Sequence, residues 1–268
     1  MSQQVAVVTG GGRGIGRAFA RQLSATGHCV LVTDIDASAA RAAAEEIGRG
    51  CEWFQQDVRD VESHREVAVR AAELGALRIW VNNAGVLIAG ESWTHDPGEI
   101  ARSFDVNVGG VIAGSHAAVA AMSAGGGAIL NVASTAGLAP VPGLAIYAAT
   151  KAAVLSFTTS LQGDLDHVGL PIRARALCPD VTGTEMVHDV ATDPGAALLF
   201  TGSRLSEADD VARTGLELLG SRQVVRSFPR LSGALGRGMG LMPSVGLRMS
   251  ASARRTGERR QQEKAGGN

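Results

Sequence analysis

A doubly wound parallel α/β sheet with helices on both faces, in a single domain, is the fold class this sequence predicts. Three observations predict it. Short apolar, β-rich runs alternate with helical stretches through most of the 268 residues; a glycine-rich turn joins the first run to the first helical stretch; and some runs are apolar without a break. Regular alternation of strand and helix argues for a parallel sheet covered on both faces, and unbroken apolarity marks strands buried on both sides.

In chain order, strands are expected at 5–9, 29–33, 51–56, 78–82, 128–133 and 172–177. The runs Val5 to Val8 and Ile79 to Val81 carry no polar residue, as central strands do. Helices are expected between them at 15–25, 37–47, 61–74, 98–122 and 147–167, and right-handed crossovers put them on alternate faces. Asp36 stands just before the second helical stretch as its N-cap. Gly125-Gly126-Gly127 reads as a turn, because the next strand starts at once. A further helix is expected at 207–220.

Composition limits the class further. Hydrophobic residues at 45% and 35 glycines exclude a disordered or fibrous chain. No run reaches the length of a membrane span, and the first residues lack a basic start followed by an apolar stretch, so a cytoplasmic location is expected. Cys29, Cys51 and Cys178 show no metal or disulfide spacing; they read as free thiols in a reducing compartment, and no metal site is expected.

The net charge of −1 hides an asymmetry. Residues 221–268 hold nine Arg and one Lys against two Glu, a net +8, which leaves −9 on residues 1–220. We therefore expect a nucleotide-binding and catalytic body over 1–221 and a basic, Gly/Arg-rich extension over 222–268 whose structure the sequence leaves open. Leu231, Leu235, Met239, Met242, Leu247 and Met249 give the extension an apolar component, while six glycines across 226–257 weaken any helix there. A solvated tail is the plainest reading. Contact with the chain's own acidic body, packing on a neighbouring subunit and a weak contact with an anionic membrane surface are the others; nucleic acid is not an expected partner.

Thr9-Gly10-Gly11-Gly12-Arg13-Gly14-Ile15-Gly16 follows the first strand and opens the first helix. Free N–H groups and the helix dipole at such a point suit a pyrophosphate. Glycines at 10, 14 and 16 allow the turn its backbone angles and let the chain approach phosphate closely. Asp34, twenty residues after Gly14 and at the end of the second strand, is placed to accept hydrogen bonds from an adenosine ribose. Its charge would repel a 2′-phosphate, so NAD is expected over NADP, although Arg13 pulls the other way.

Tyr147 and Lys151 stand four apart on an expected helix and so share a face. Tyr147 is the only tyrosine, and Lys151 is one of two lysines in a chain that otherwise uses arginine. A phenol with a pKa near ~10 is a poor base until a nearby cation favours its phenolate. A compact ammonium does that and can also bond ribose hydroxyls. Ser134, just past a strand, can hold a substrate oxygen beside Tyr147.

Taken in order, Thr9 to Gly16, Asp57-Val58, Asn82-Asn83-Ala84-Gly85, Asn107, Ser134 and Tyr147-Ala148-Ala149-Thr150-Lys151 resemble the classical short-chain dehydrogenase/reductase family over roughly residues 4–220. The resemblance implies one Rossmann-type domain and a homodimer or homotetramer built through the helices that carry Asn107 and Tyr147. It implies that Tyr147 is the general acid/base, that Lys151 binds ribose and lowers the phenol pKa, and that Ser134 orients the substrate. Asn107 would hold a water linking Lys151 to solvent. Asp57, with Val58, would meet the adenine; Asn83, Ala84 and Gly85 would pass beneath the ribose; and Pro179, Thr182 and Thr184 would meet the nicotinamide side. The hydride would use the pro-S face.

Two departures stand out. The family's Pro-Gly after the sixth strand is Pro179-Asp180 here, which puts the loop path in question, and the familiar seventh strand is absent, with Gln223-Val224-Val225 its nearest substitute. The expected function is NAD(H)-dependent interconversion of a secondary alcohol and a ketone. Residues 196–200 are expected to cover a largely apolar substrate. The alternative is a catalytically silent NAD(H)-binding regulatory or scaffold protein, against which the intact set Asn107, Ser134, Tyr147 and Lys151 speaks.

Overall fold

A computed structural model of the chain describes residues 3–48, 50–201 and 205–265. The first two residues, and the last three of the expected extension, lie outside the described residues. Seven strands form one parallel sheet: β1 (Gln4–Thr9), β2 (Cys29–Asp34), β3 (Glu52–Gln55), β4 (Ala76–Asn82), β5 (Gly127–Val132), β6 (Ile172–Pro179) and β7 (Val225–Phe228). Their spatial order is β3-β2-β1-β4-β5-β6-β7. The chain reverses its winding between β1 and β4, and the crevice at such a switch point is where open α/β sheets take ligands.

Side chains on β1 show why both faces are covered. Val5 and Val7 enter one core with Leu31, Trp80, Met122, Ile129 and Leu165. Ala6 and Val8 enter the other with Phe19, Leu23, Val32, Leu130 and Leu218. Period-two alternation of apolar residues on a doubly buried strand produces this division. Helices α1 (Gly14–Ala25) and α2 (Ala37–Ile47) follow β1 and β2, and α3 (Val61–Leu74) follows β3. Asp36 caps α2 as expected, accepting from Ser38 N and Ala39 N.

The single helix expected at 98–122 is two helices, α4 (Pro97–Phe104) and α5 (Gly110–Met122), joined by a π-helical turn over Asp105–Gly109. Wide turns of this kind concentrate at functional sites because they re-aim a side chain; the one re-aimed here is Asn107. After β5 come α6 (Ala145–His167), β6, the short α7 (Glu185–His188), a 3₁₀ segment over Pro194–Phe200, and α8 (Ala208–Leu219).

Two expectations about the C-terminal part are corrected. A seventh strand is present: β7 pairs with β6 from Ala176↔Val225 to Pro179↔Phe228, starting where Gln223-Val224-Val225 ends. Its Arg226 and Ser227 hid it from a reading by apolarity. The extension is not a solvated coil, since α9 (Arg230–Leu241) and α10 (Pro243–Ala265) fold back against the body. No described helix is long and apolar enough to cross a membrane.

Candidate active site

The C-terminal ends of β1, β2 and β4 surround a cavity of about 450 Å³. The glycine turn gives it Gly10, Arg13, Gly14 and Ile15; the strand ends give it Asp34, Asp57 and Val58, then Asn83, Ala84 and Gly85; the loop after β6 gives it Thr184. Gly10 takes a left-handed φ of 60°, and a Cβ there would lie 2.7 Å from Ala84 Cα. Gly16 lies beneath the turn rather than in the cavity wall: a Cβ on it would come within 2.1 Å of Gly10 O and 2.5 Å of Asn83 Nδ2.

The turn and the β4 loop are tied together. Thr9 Oγ1 accepts from Asn83 N and Ala84 N, both at 3.1 Å, and Asn83 Nδ2 donates to Thr9 O at 3.1 Å and Gly10 O at 2.9 Å. Helix α1 starts after Arg13 with no side-chain cap and no acidic residue in its first turn, so its free N–H groups stand ready for an anion. Asp34 Oδ2 accepts from Gly12 N at 3.0 Å and Oδ1 from Asp36 N at 3.1 Å, which fixes the carboxylate at the cavity edge. A bidentate Arg59 contact holds the Asp57 carboxyl below its ordinary range. Arg59 and Arg102, which the sequence reading did not single out, line the same cavity. An uncapped helix start, glycines where a Cβ would collide and a ribose-ready carboxylate fit a nicotinamide dinucleotide.

A second cavity, of about 400 Å³, holds Ser134, Tyr147, Lys151, Pro179, Thr182 and Thr184. Ile15, Asn83, Gly85, Thr184 and Met186 wall both cavities, so the two are halves of one crevice. Tyr147 and Lys151 project from α6, 9% and 4% exposed. Burial pushes the Tyr147 phenol up to about 12, with a hydrogen bond from Ser134 working against it. Burial also pushes Lys151 down to about 8. The Lys151 ammonium sits 5.6 Å from the centre of the Tyr147 ring and donates to Val132 O at 3.0 Å.

Asn107 lines neither cavity. Its Oδ1 accepts from Val86 N at 2.8 Å, and its Nδ2 donates to Val86 O at 2.8 Å and Thr150 Oγ1 at 3.1 Å. It approaches Lys151 across Gly85, where a Cβ would lie 3.1 Å from Asn107 Oδ1 and 3.5 Å from Lys151 Nζ. Asp180 keeps the loop after β6 on the sheet: its N donates to Phe228 O at 2.7 Å, and its Oδ1 accepts from Val181 N at 2.9 Å and Thr135 Oγ1 at 3.3 Å. The apolar wall is completed by Leu198 and Leu199 from the 194–200 segment. Ser232, Leu235, Met239 and Met249 of the extension also line the cavity. Sequence reading missed their place in the site, and their only signal was apolarity inside a basic segment.

The depressed Lys151 value has a measurable consequence. The folded chain releases this proton near pH 8, whereas an unfolded lysine holds it to about 10.5. Between those values the unfolded state binds more protons, so stability rises with pH. The gain from this group is on the order of 3 kcal/mol. Urea unfolding of wild type and Lys151→Met at pH 8 and pH 10 measures it: wild type gains relative to the variant. A pH-independent difference would sink this account of the buried ammonium.

The comparisons with known proteins agree with this geometry. The family description "short chain dehydrogenase" matches residues 4–195. A 3-beta-hydroxysteroid dehydrogenase of Comamonas testosteroni is 33% identical over 187 residues, covering 69% of this chain and 73% of the relative. A trans-4-hydroxycyclohexanecarboxylate dehydrogenase of Sinomonas cyclohexanicum is 33% identical over 221 residues, 79% and 85% of the two chains. A solved short chain dehydrogenase/reductase from Burkholderia phymatum, in complex with NAD, superposes with a TM-score of 0.81 at 28% identity, covering 88% of this chain and 92% of the other.

Proposed function

The chain belongs to the short-chain dehydrogenase family, oxidoreductases of the CH–OH group, and from that premise we propose that it interconverts a secondary alcohol and a ketone with NAD(H), using Tyr147 as general acid/base. The observation that carries the proposal is the meeting of the Ser134 hydroxyl, the buried Tyr147 phenol and the Lys151 ammonium in the second cavity, which shares a wall with the first. Gly10, Arg13, Gly14 and Ile15 hold the pyrophosphate, Asp34 and Lys151 the ribose hydroxyls, and Asp57 and Val58 flank the adenine. Asn83, Ala84 and Gly85 would run beneath the adenosine ribose, and Pro179, Thr182 and Thr184 would border the nicotinamide. When bound, the nicotinamide supplies the acceptor or donor of the hydride.

Ser134 Oγ and Tyr147 Oη hold the substrate oxygen. In the reductive direction Tyr147, kept protonated by burial, gives its proton to that oxygen as the carbonyl carbon gains the hydride. In the oxidative direction the phenolate would take the hydroxyl proton while a bound nicotinamide would accept the hydride, and the Lys151 charge would favour that phenolate. Asn107 braces Val86 and Thr150 beside Lys151 and holds the water through which the lysine exchanges protons. The apolar second cavity suits a largely apolar substrate. The helices bearing Asn107 and Tyr147 are the surfaces through which subunits pair, and three unpaired thiols suit a cytoplasmic setting.

Titration of NADH and NADPH by fluorescence tests the cofactor. Wild type binds NADH more tightly, and Asp34→Asn narrows the preference roughly tenfold, the scale of one lost charge contact. NADPH preference in wild type would mean that Arg13, with Arg59 and Arg102 on the same wall, outweighs Asp34.

A further inference from the structure

The basic extension does not hang free. Along α9 and α10, glycine stands where the body presses closest. A Cβ at Gly233 would come within 2.1 Å of Ser227, at Gly240 within 2.3 Å of Leu138 O, and at Gly257 within 1.9 Å of Ala197 O. Glycines that weaken an isolated helix by about 1 kcal/mol each here permit close approach, to a side chain at Gly233 and to backbone at Gly240 and Gly257. The two contacts that matter for the site are those to Leu138, in the loop that follows Ser134, and to Ala197, in the 3₁₀ segment over the cavity.

Polar contacts fasten the far half of α10 to that same segment. Arg260 donates to Phe200 O and Thr201 O, and Gln261 Nε2 donates to Ala191 O and Asp193 O, both at 3.0 Å. Arg254 reaches Glu91 at 3.7 Å, beside Gly90, which packs on Gly195 of that segment. The near half of the hairpin then faces the cavity: Gly236, Met239, Ser250 and Ala253 line its interior, and Leu235 and Met249, 54% and 47% exposed, form its lip.

We propose that the α9–α10 hairpin is a fixed roof over the substrate half of the crevice, and that Leu235, Met239 and Met249 are specificity-determining residues that select a bulky, uncharged secondary alcohol or its ketone. This deepens the functional reading above and rests on it for the reaction. The cavity volume of about 400 Å³ falls in the range of sites that enclose a whole organic ligand. The rest of its lining is largely apolar: Leu87, Val141, Leu144 and Leu199 come from the body, and Met239 and Leu235 from the roof. A short acyclic alcohol has little apolar surface to set against the roof, so the roof rewards a substrate wide enough to fill the space beneath it.

The test uses the full chain loaded with NADH, with 1-(2-naphthyl)ethanol as the bulky alcohol and 2-butanol as the small one. Naphthylethanol binding is followed by its own fluorescence, and oxidation is followed separately with NAD. Leu235→Asp places a charge at an exposed lip position, and Gly257→Val pushes α10 off Ala197. Each variant weakens naphthylethanol binding by roughly tenfold or more and lowers its kcat/KM relative to 2-butanol by a similar factor, while NADH affinity stays within about twofold. In Gly257→Val, amide exchange also speeds up across residues 191–201. Naphthylethanol affinity unchanged in both variants, or no binding of it by wild type, overturns the proposal. Binding is read without turnover: a wild type that binds naphthylethanol in the predicted way yet oxidises neither alcohol counts against the reaction, not the roof.

Discussion

Tyr147→Phe lowers kcat for alcohol oxidation by roughly a thousandfold, within the 10²–10⁴ range of a lost general acid/base, and leaves NADH affinity within about twofold. The expectation follows from how little else the substitution removes. The ring packs in a cluster with Leu144, Ala89, Val187 and Phe200, and phenylalanine keeps all of that surface. What is lost is one buried hydroxyl and its hydrogen bond with Ser134, a stability change on the order of 1 kcal/mol. Activity and fold are therefore separable, and a thermal melt beside the rate assay separates them. Full turnover in the variant would remove Tyr147 from the chemistry. A wild type that binds NADH tightly but turns over no alcohol or ketone would favour the silent binding protein instead.

Gly16→Ala is expected to weaken NADH binding about a hundredfold or more, some 2.7 kcal/mol. This position has no left-handed angle to protect; the constraint is distance. An added methyl meets Gly10 O at 2.1 Å and Asn83 Nδ2 at 2.5 Å, and neither can retreat easily. Asn83 is held by Thr9 O and Gly10 O, and Gly10 is itself packed on Ala84. Relief comes by moving α1 away from the turn, which withdraws the N–H groups of its first turn from the phosphate position. Circular dichroism reports whether the helices persist, and NADH titration reads the effect. Affinity retained within threefold would show that the turn can yield after all.

Much of this was legible in the sequence because the signals were local. Unbroken apolar runs gave the central strands, the glycine run gave the turn that opens the first helix, and a four-residue spacing put Tyr147 and Lys151 on one helix lining one cavity. The π turn at Asp105–Gly109 was not legible, because widening one turn of a helix shifts hydrogen bonds without changing composition. The one hint in the sequence was a polar Asn107 standing between Val106 and Val108. The Tyr147–Lys151 pair was placed correctly on one helix face, yet burial moves both groups toward their neutral forms, which no spacing could disclose.

The extension misled for a different reason. Helix propensity counts glycine as a loss, and that count is right for a helix in water. Gly233, Gly240 and Gly257 are placed instead by what each touches at distant positions, 227, 138 and 197, and such partners exist only once the fold does. β7 was hidden likewise: Arg226 lies against Glu217 and Gln223, and Ser227 is buried under α9, so neither follows the apolar pattern of an inner strand.

Position in the chain gives the hairpin one more consequence. Ribosomes deliver the glycine turn, Ser134, Tyr147 and Lys151 well before residues 230–261, so the nascent polypeptide can assemble its nucleotide crevice while the space for the second reactant is still open to the tunnel mouth. On the roof proposal, discrimination among reactants is then acquired after the nucleotide crevice. A purification tag or fused partner joined near α10 is attached to a wall of the pocket rather than to a neutral end, and selectivity measured on such a fusion belongs partly to the fusion.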